Sequence, residues 1–172
     1  MQKQQIIVSL TSFPQALPFC VQAIRSILEG SVLPDKIVLY LTAQQFPSGK
    51  IPSYLEDLLA LNTFFEVRFY NQVIRSYTKL IPAIQDFPND IIITIDDDVR
   101  YHKNMLKHLL SRHKKYPKAI IGHRIRRIKL NERYRKWKCY KRISLLSRSF
   151  KPSYRTLQTG VGGVLYPPHS LS

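Results

Sequence analysis

Ile91-Ile92-Ile93-Thr94-Ile95-Asp96-Asp97-Asp98 is the stretch that decides the fold. Its first five residues are all β-branched, and four are isoleucine, which suits a strand buried on both faces. Three carboxylates follow without a break. In open parallel sheets ligands bind beyond the carboxyl ends of the strands, so the aspartates stand where a ligand is expected. Three adjacent carboxylates repel one another and call for a cation. Mg²⁺ or Mn²⁺ takes one or two protein carboxylates and fills its shell with phosphate oxygens and water. If the pleat continues through the run, Asp96 and Asp98 project to one side and Asp97 to the other. A solvated acidic loop or a helix N-cap is the plainer alternative.

Working outward, strands and helices alternate. Gln5 to Leu10 reads as a buried strand, and Thr11-Ser12-Phe13-Pro14 breaks it. Leu17, Val21, Ile24, Ile27 and Leu28 recur at helical spacing, with Gly30 placed to end that helix in the left-handed conformation. Lys36 to Leu41 is a second strand, Pro52 opens a helix carrying Leu55, Leu58 and Leu59, and Phe65 to Phe69 is a third strand. Lys79 to Phe87 reads as helical, with Pro82 in its first turn. His102 to Tyr116 is a basic amphipathic helix that turns Met105, Leu106, Leu109 and Leu110 inward. Lys118 to Gly122 is a fifth strand. Residues 124–155 read as irregular, and Gly160, Gly162 and Gly163 precede Val164-Leu165-Tyr166. Such alternation predicts an α/β fold with a mostly parallel central sheet flanked by helices.

The chain has 172 residues, enough for one domain with a real core. Its apolar runs are short, and the first residues carry no signal-peptide pattern, so a cytoplasmic protein is expected. Cys20 and Cys139 lack metal spacing and read as two reduced thiols. The net charge of +16 is unevenly placed: seven Lys or Arg face ten Asp or Glu before residue 100, and twenty face Glu132 alone after it. A cationic C-terminal part points to an anionic partner, whether phosphate groups, a membrane surface or nucleic acid.

Several runs together resemble bacterial family-2-like glycosyltransferases of the GT-A fold. They are Ile7 to Pro14, Leu33 to Leu39 with Gln45-Phe46-Pro47, Arg75 to Ala83, Ile95-Asp96-Asp97-Asp98-Val99 in the place of a DXD motif, and Thr159 to Pro168. The resemblance implies a GT-A-type Rossmann-like sandwich over residues 1–172. Residues 1–99 would bind the nucleotide sugar, and 100–172 would form a basic, incomplete acceptor-side part. It implies Thr11 and Ser12 at the base and ribose and Lys79 at the nucleotide or its phosphates. Asp96 and Asp97 would serve the ribose and metal shell, with Asp98 as the main ligand of Mn²⁺ or Mg²⁺ and Asp96 beside it. Gly162 and Gly163, with Gly160, would let backbone pass close to the donor sugar or acceptor. The implied acceptor is a bacterial surface glycan or lipid-linked glycan, with the protein held at the inner face of the membrane.

The pattern breaks in one place. Members of that family usually continue with further helices that carry a carboxylate resembling the general base. After Asp98 only Glu132 has a carboxylate side chain, set among Lys and Arg that lower its basicity; His169 is the other candidate, more plainly a surface histidine. The catalytic base is therefore unassigned, and a C-terminally shortened copy with slow or absent transfer is expected. The rival class is a basic nucleic-acid-binding protein or a metal-dependent nuclease using Asp96 and Asp98, with Tyr134, Trp137, Tyr140 and Tyr154 stacking on bases. Nucleic acid is disfavoured as a partner, because the charge is confined to one part and the first hundred residues read as a nucleotide fold.

Overall fold

The structure is a computed structural model that describes residues 4–61, 63–140 and 152–171. Its frame is a six-stranded sheet, in spatial order Phe65–Tyr70, Lys36–Thr42, Ile6–Ser12, Ile91–Thr94, Val164–Tyr166 and Ile121–Gly122. The strands are β1 (Ile6–Ser12), β2 (Lys36–Thr42), β3 (Phe65–Tyr70), β4 (Ile91–Thr94), β5 (Ile121–Gly122) and β9 (Val164–Tyr166). β1 runs parallel to both β2 and β4, and β2 is parallel to β3. β9 enters antiparallel between β4 and β5. The mostly parallel sheet expected from the alternation is present, with one strand reversed.

Alternation along each strand divides the core. Val8, Leu10, Ile37, Leu39, Leu41, Ile91, Ile93 and Leu165 face α1 (Leu17–Leu28), α2 (Ser53–Leu61) and α4 (Met105–Lys115). Ile7, Val38, Tyr40 and Ile92 face the opposite way, onto Ala83 and Ile84 of α3 (Ile81–Asp86). Both faces of β1, β2 and β4 are thus covered, as parallel strands require. Of the four residues assigned inward on α4, Met105, Leu106 and Leu109 are buried, and Leu110 is partly so.

Several boundaries differ from the sequence reading, each for a local reason. The segment 79–87 divides into a 3₁₀ turn at Arg75–Lys79 and α3, with Pro82 in the first turn of α3. β5 holds only Ile121 and Gly122, because β9 offers it just two register partners. Gly30 is not left-handed; Glu29 ends α1 with φ −78°, and a Cβ on Gly30 would sit 2.8 Å from the Ile27 carbonyl oxygen. Space, rather than conformation, calls for glycine there.

Residues 124–155 are not wholly irregular. β6 (Ile125–Arg127) pairs with β7 (Cys139–Tyr140) and β8 (Thr156–Gln158) in a second, antiparallel sheet. Arg126 stands 4.7 Å over the Tyr134 ring and donates to the Tyr134 and Trp137 carbonyls. Trp137 Nε1 donates to the Lys129 and Glu132 carbonyls, so the indole ties down a loop. The remaining residues of that segment, 141–151, lie outside the described residues. Cys20 is buried and Cys139 half-buried, and both are free thiols.

The central position of β4 sets a stability test. Ile93 is fully buried, and its truncation to Ala should cost about 2–5 kcal/mol by urea unfolding. Val73→Ala, at a site two-thirds exposed, should stay within about 0.5 kcal/mol. Equal costs at the two positions would contradict the assigned core.

Candidate active site

The carboxyl ends of β1, β2 and β4 lie at one edge of the sheet, and the polar residues gather there. Ser9 is in register with Thr94, so three residues further along each chain Ser12 meets Asp97. Ser12 Oγ donates to Asp97 Oδ2 at 2.5 Å. β4 ends at Thr94, Ile95 is still fully buried, and Asp97 and Asp98 form a turn. The pleat therefore stops before the aspartates, and strand alternation does not set their directions. Repulsion among the carboxylates and their need for water favour the turn.

Each aspartate has its own surroundings. Asp96 forms an ion pair with Lys79, and its backbone N–H donates to Tyr101 Oη at 2.8 Å. Tyr101 in turn is pinned to α1, its N–H donating to Ser26 Oγ at 2.9 Å. Burial raises the Tyr101 phenol, with the nearby aspartates adding to the shift, so it stays a neutral hydroxyl. Asp97 is held by Ser12. Asp98 is exposed and makes no hydrogen bond or ion pair with any described residue.

Lys79 arrives on the 3₁₀ turn, whose Lys79 carbonyl accepts from Ser9 Oγ at 2.6 Å. Thr11 Oγ1 donates to the Tyr40 carbonyl at 2.8 Å, so its hydroxyl is engaged in bracing β1 against β2. On the other flank, a Cβ on Gly160 would stand 4.0 Å from Asp96 Oδ1. Gly160 has φ +82°, which favours glycine, and it borders the carboxylates. Gly162 and Gly163 pack elsewhere: added Cβ atoms would meet His123 Cβ at 3.0 Å and Met105 Sδ at 3.1 Å.

Carboxylates of this kind could hold a hard divalent cation bound jointly with a ligand. Among the described residues no three His, Cys, Asp or Glu side chains converge as a complete metal cage. Asp98 is uncommitted and Asp96 is adjacent, which matches a cation that takes one or two carboxylates and draws its other ligands from phosphate and water.

Neither base candidate stands well. Glu132 is paired to Lys129 at 2.7 Å. His169 lies with Gln4, His113 and Pro117 around a cavity at the amino end of β1, the opposite edge of the sheet. The sequence reading passed over Tyr101 and His123. Val164 is paired to Thr94 on one side and Gly122 on the other, so His123 leaves β5 at the same edge as the aspartates. Only register carries that signal, because no local motif marks either residue.

Among solved structures, the chain is similar to the mannosyltransferase PcManGT from Pyrobaculum calidifontis in complex with GDP-Man and Mn²⁺. The TM-score is 0.56 at 12% sequence identity, over 71% of this chain and 36% of that chain. The fold is that of a glycosyltransferase. Its six-stranded, mostly parallel sheet flanked by helices matches a Rossmann-like fold of that kind. At this identity the likeness shows the fold alone. No protein-family model and no curated protein matches the sequence. No helix among the described residues is long and apolar enough to cross a membrane.

Two histidines give the protein an acid-side sensitivity. Burial lowers the pKa of His113, whose Nδ1 is buried without a partner. Burial also lowers His123, His108 adds to the shift, and the Gly162 backbone opposes it. Unfolded histidine titrates near about 6.5, so below that pH the unfolded chain binds more protons than the folded one. Stability should therefore be full above that value and fall as pH drops toward 5.5. Urea midpoints at pH 7.5, 6.5 and 5.5 should show the fall, and His113→Gln with His123→Gln should reduce it. An unchanged slope in the double variant would contradict the assignment.

Proposed function

We propose that this chain carries the donor site of a metal-dependent glycosyltransferase, which moves a sugar from a nucleotide-sugar donor to a bacterial surface glycan or lipid-linked acceptor, and that with no base placed at that site among the described residues the chain alone transfers sugar slowly or not at all. The observation that carries this is the convergence of Ser12, Lys79, Asp96, Asp97, Asp98 and Gly160 at the carboxyl edge of a glycosyltransferase fold. Thr11 and Ser12 border the base and ribose, with Asp97 beside Ser12. Lys79 is placed to exchange part of its pairing with Asp96 for a donor phosphate. Asp98 and Asp96 would hold Mn²⁺ or Mg²⁺, and when bound that cation would neutralise charge developing on the leaving diphosphate. Gly160 leaves room beside Asp96 for a sugar, and Gly162 and Gly163 shape the turn that follows.

The basic C-terminal part would hold the protein at an anionic membrane surface, where such acceptors reside. Arg127, Arg133, Arg135 and Lys136 are exposed. Each Lys or Arg near an anionic leaflet contributes about 1 kcal/mol. Arg126 is excluded from that role, because its guanidinium packs on the Tyr134 ring and donates to the Trp137 carbonyl beside the second sheet.

Two tests follow from these assignments. The protein with Mn²⁺ and a panel of sugar nucleotides should release nucleoside diphosphate, and Asp98→Asn should lower the rate at least tenfold (about 1.4 kcal/mol). Absence of both metal-dependent release and metal-dependent binding of any nucleoside diphosphate would sink the donor-site assignment. Arg127, Arg135 and Lys136 changed together to Glu should abolish salt-sensitive binding to phosphatidylglycerol vesicles. Retained vesicle binding, or stronger binding to single-stranded DNA than to vesicles in wild type, would contradict the membrane role.

A further inference from the structure

Arg75 is an exposed residue with φ +54°, a left-handed backbone conformation that costs a non-glycine side chain energy. It opens the 3₁₀ turn that ends in Lys79, the partner of Asp96. The same turn carries a second cost. Thr78 is fully buried, and its hydroxyl has no hydrogen-bond partner. Two locally unfavourable features in five residues are what a segment shows when it is held for a ligand rather than for stability.

Charge gives the ligand's class. The edge holds three aspartates against Lys79, and a divalent cation would roughly balance them. A nucleoside diphosphate then adds at least two negative charges, and more develops as the sugar departs. A further cation is needed. Lys36 opens β2 at the opposite, amino edge, and Arg68 on β3 is paired to Glu66 and Asp86. Arg100 reaches toward Glu29. The Arg75 side chain makes no hydrogen bond or ion pair with any described residue. Along a 3₁₀ turn its Cα lies about 8 Å from that of Lys79, a span an arginine stem largely covers. Its forked donors match two phosphate oxygens at once.

We propose that Arg75 binds the diphosphate of the donor, and that its strained backbone is kept because it aims the guanidinium at that group. This role rests on the nucleotide-sugar site proposed above. It separates Arg75 from Lys79: Lys79 organises Asp96, and Arg75 acts only when phosphate arrives.

The test uses the full chain with Mn²⁺ and the tightest-binding of UDP, GDP and dTDP, compared with its monophosphate. Arg75→Gly should raise the melting temperature by about 2–4 °C through relief of strain. The same change should weaken diphosphate binding by about 10- to 100-fold and narrow the preference for diphosphate over monophosphate. Arg75→Lys should recover part of the affinity and none of the stability. Lys114→Ala, on the last turn of α4, should leave binding unchanged. If wild type binds the diphosphate and Arg75→Gly binds it equally well, the Arg75 assignment falls while the donor site stands. A loss of both stability and affinity would make Arg75 a structural residue. If wild type binds none of the three nucleotides, the donor site and this role fall together.

Discussion

Everything at the functional edge depends on β4 being buried on both faces. Ile92 packs toward α3, Ile93 packs toward α4, and Ile95 is still fully enclosed. Burying an unpaired carboxylate is prohibitively costly, so the chain cannot carry its aspartates any deeper. The boundary between Ile95 and Asp96 is therefore fixed, and with it the position of three carboxylates at the end of the central strand. β1 supplies the register on one side and β9 on the other. At the amino edge, Asp90 and Asp35 accept the Gln5 and Ile6 N–H groups, which resists slippage of β1 against its neighbours.

Around that boundary the polar contacts position rather than stabilise. A partly exposed ion pair such as Lys79–Asp96 contributes little to folding on its own. Its effect is to orient Asp96 while Ser12 orients Asp97, leaving Asp98 facing solvent. Tyr101 extends the same scaffold back to Ser26 on α1, so a helix on one face braces a loop at the edge. On the α3 face, Lys36, Glu66, Arg68, Asp86 and Tyr40 form a comparable network. Partial burial pushes the Glu66 carboxyl up, but its bonds from Lys36 and Arg68 outweigh that and hold it low. Those two cations, Lys36 and Arg68, are spent on the sheet's flank.

The parallel core was legible because β-branched runs and helical periodicity are local signals. Ile6 to Leu10, Lys36 to Leu41 and Ile91 to Ile95 each declare a strand, and Leu17 to Leu28 and Met105 to Leu109 declare helices. Less legible was whatever depends on partners distant in sequence. The reversal of β9 depends on where Val164 finds Thr94 and Gly122. Likewise, β6 and β8 become strands only by pairing with each other across about thirty intervening residues. The aspartates were found by type and place, but their directions were not, because a turn interrupts the pleat. Arg75 illustrates the remaining gap, since a left-handed arginine leaves no mark in composition or periodicity.

The central claim is that a divalent cation and a nucleoside diphosphate meet at the end of β4. Paramagnetic broadening by Mn²⁺ of the amide resonances of labelled protein, in the presence of nucleoside diphosphate, reads that location directly. Broadening should be strongest at Asp96 to Val99, Ser12 and Gly160, and weak at His113 and His169 on the opposite edge. Broadening centred on the opposite edge, or spread evenly over the basic surface without regard to nucleotide, would contradict the account.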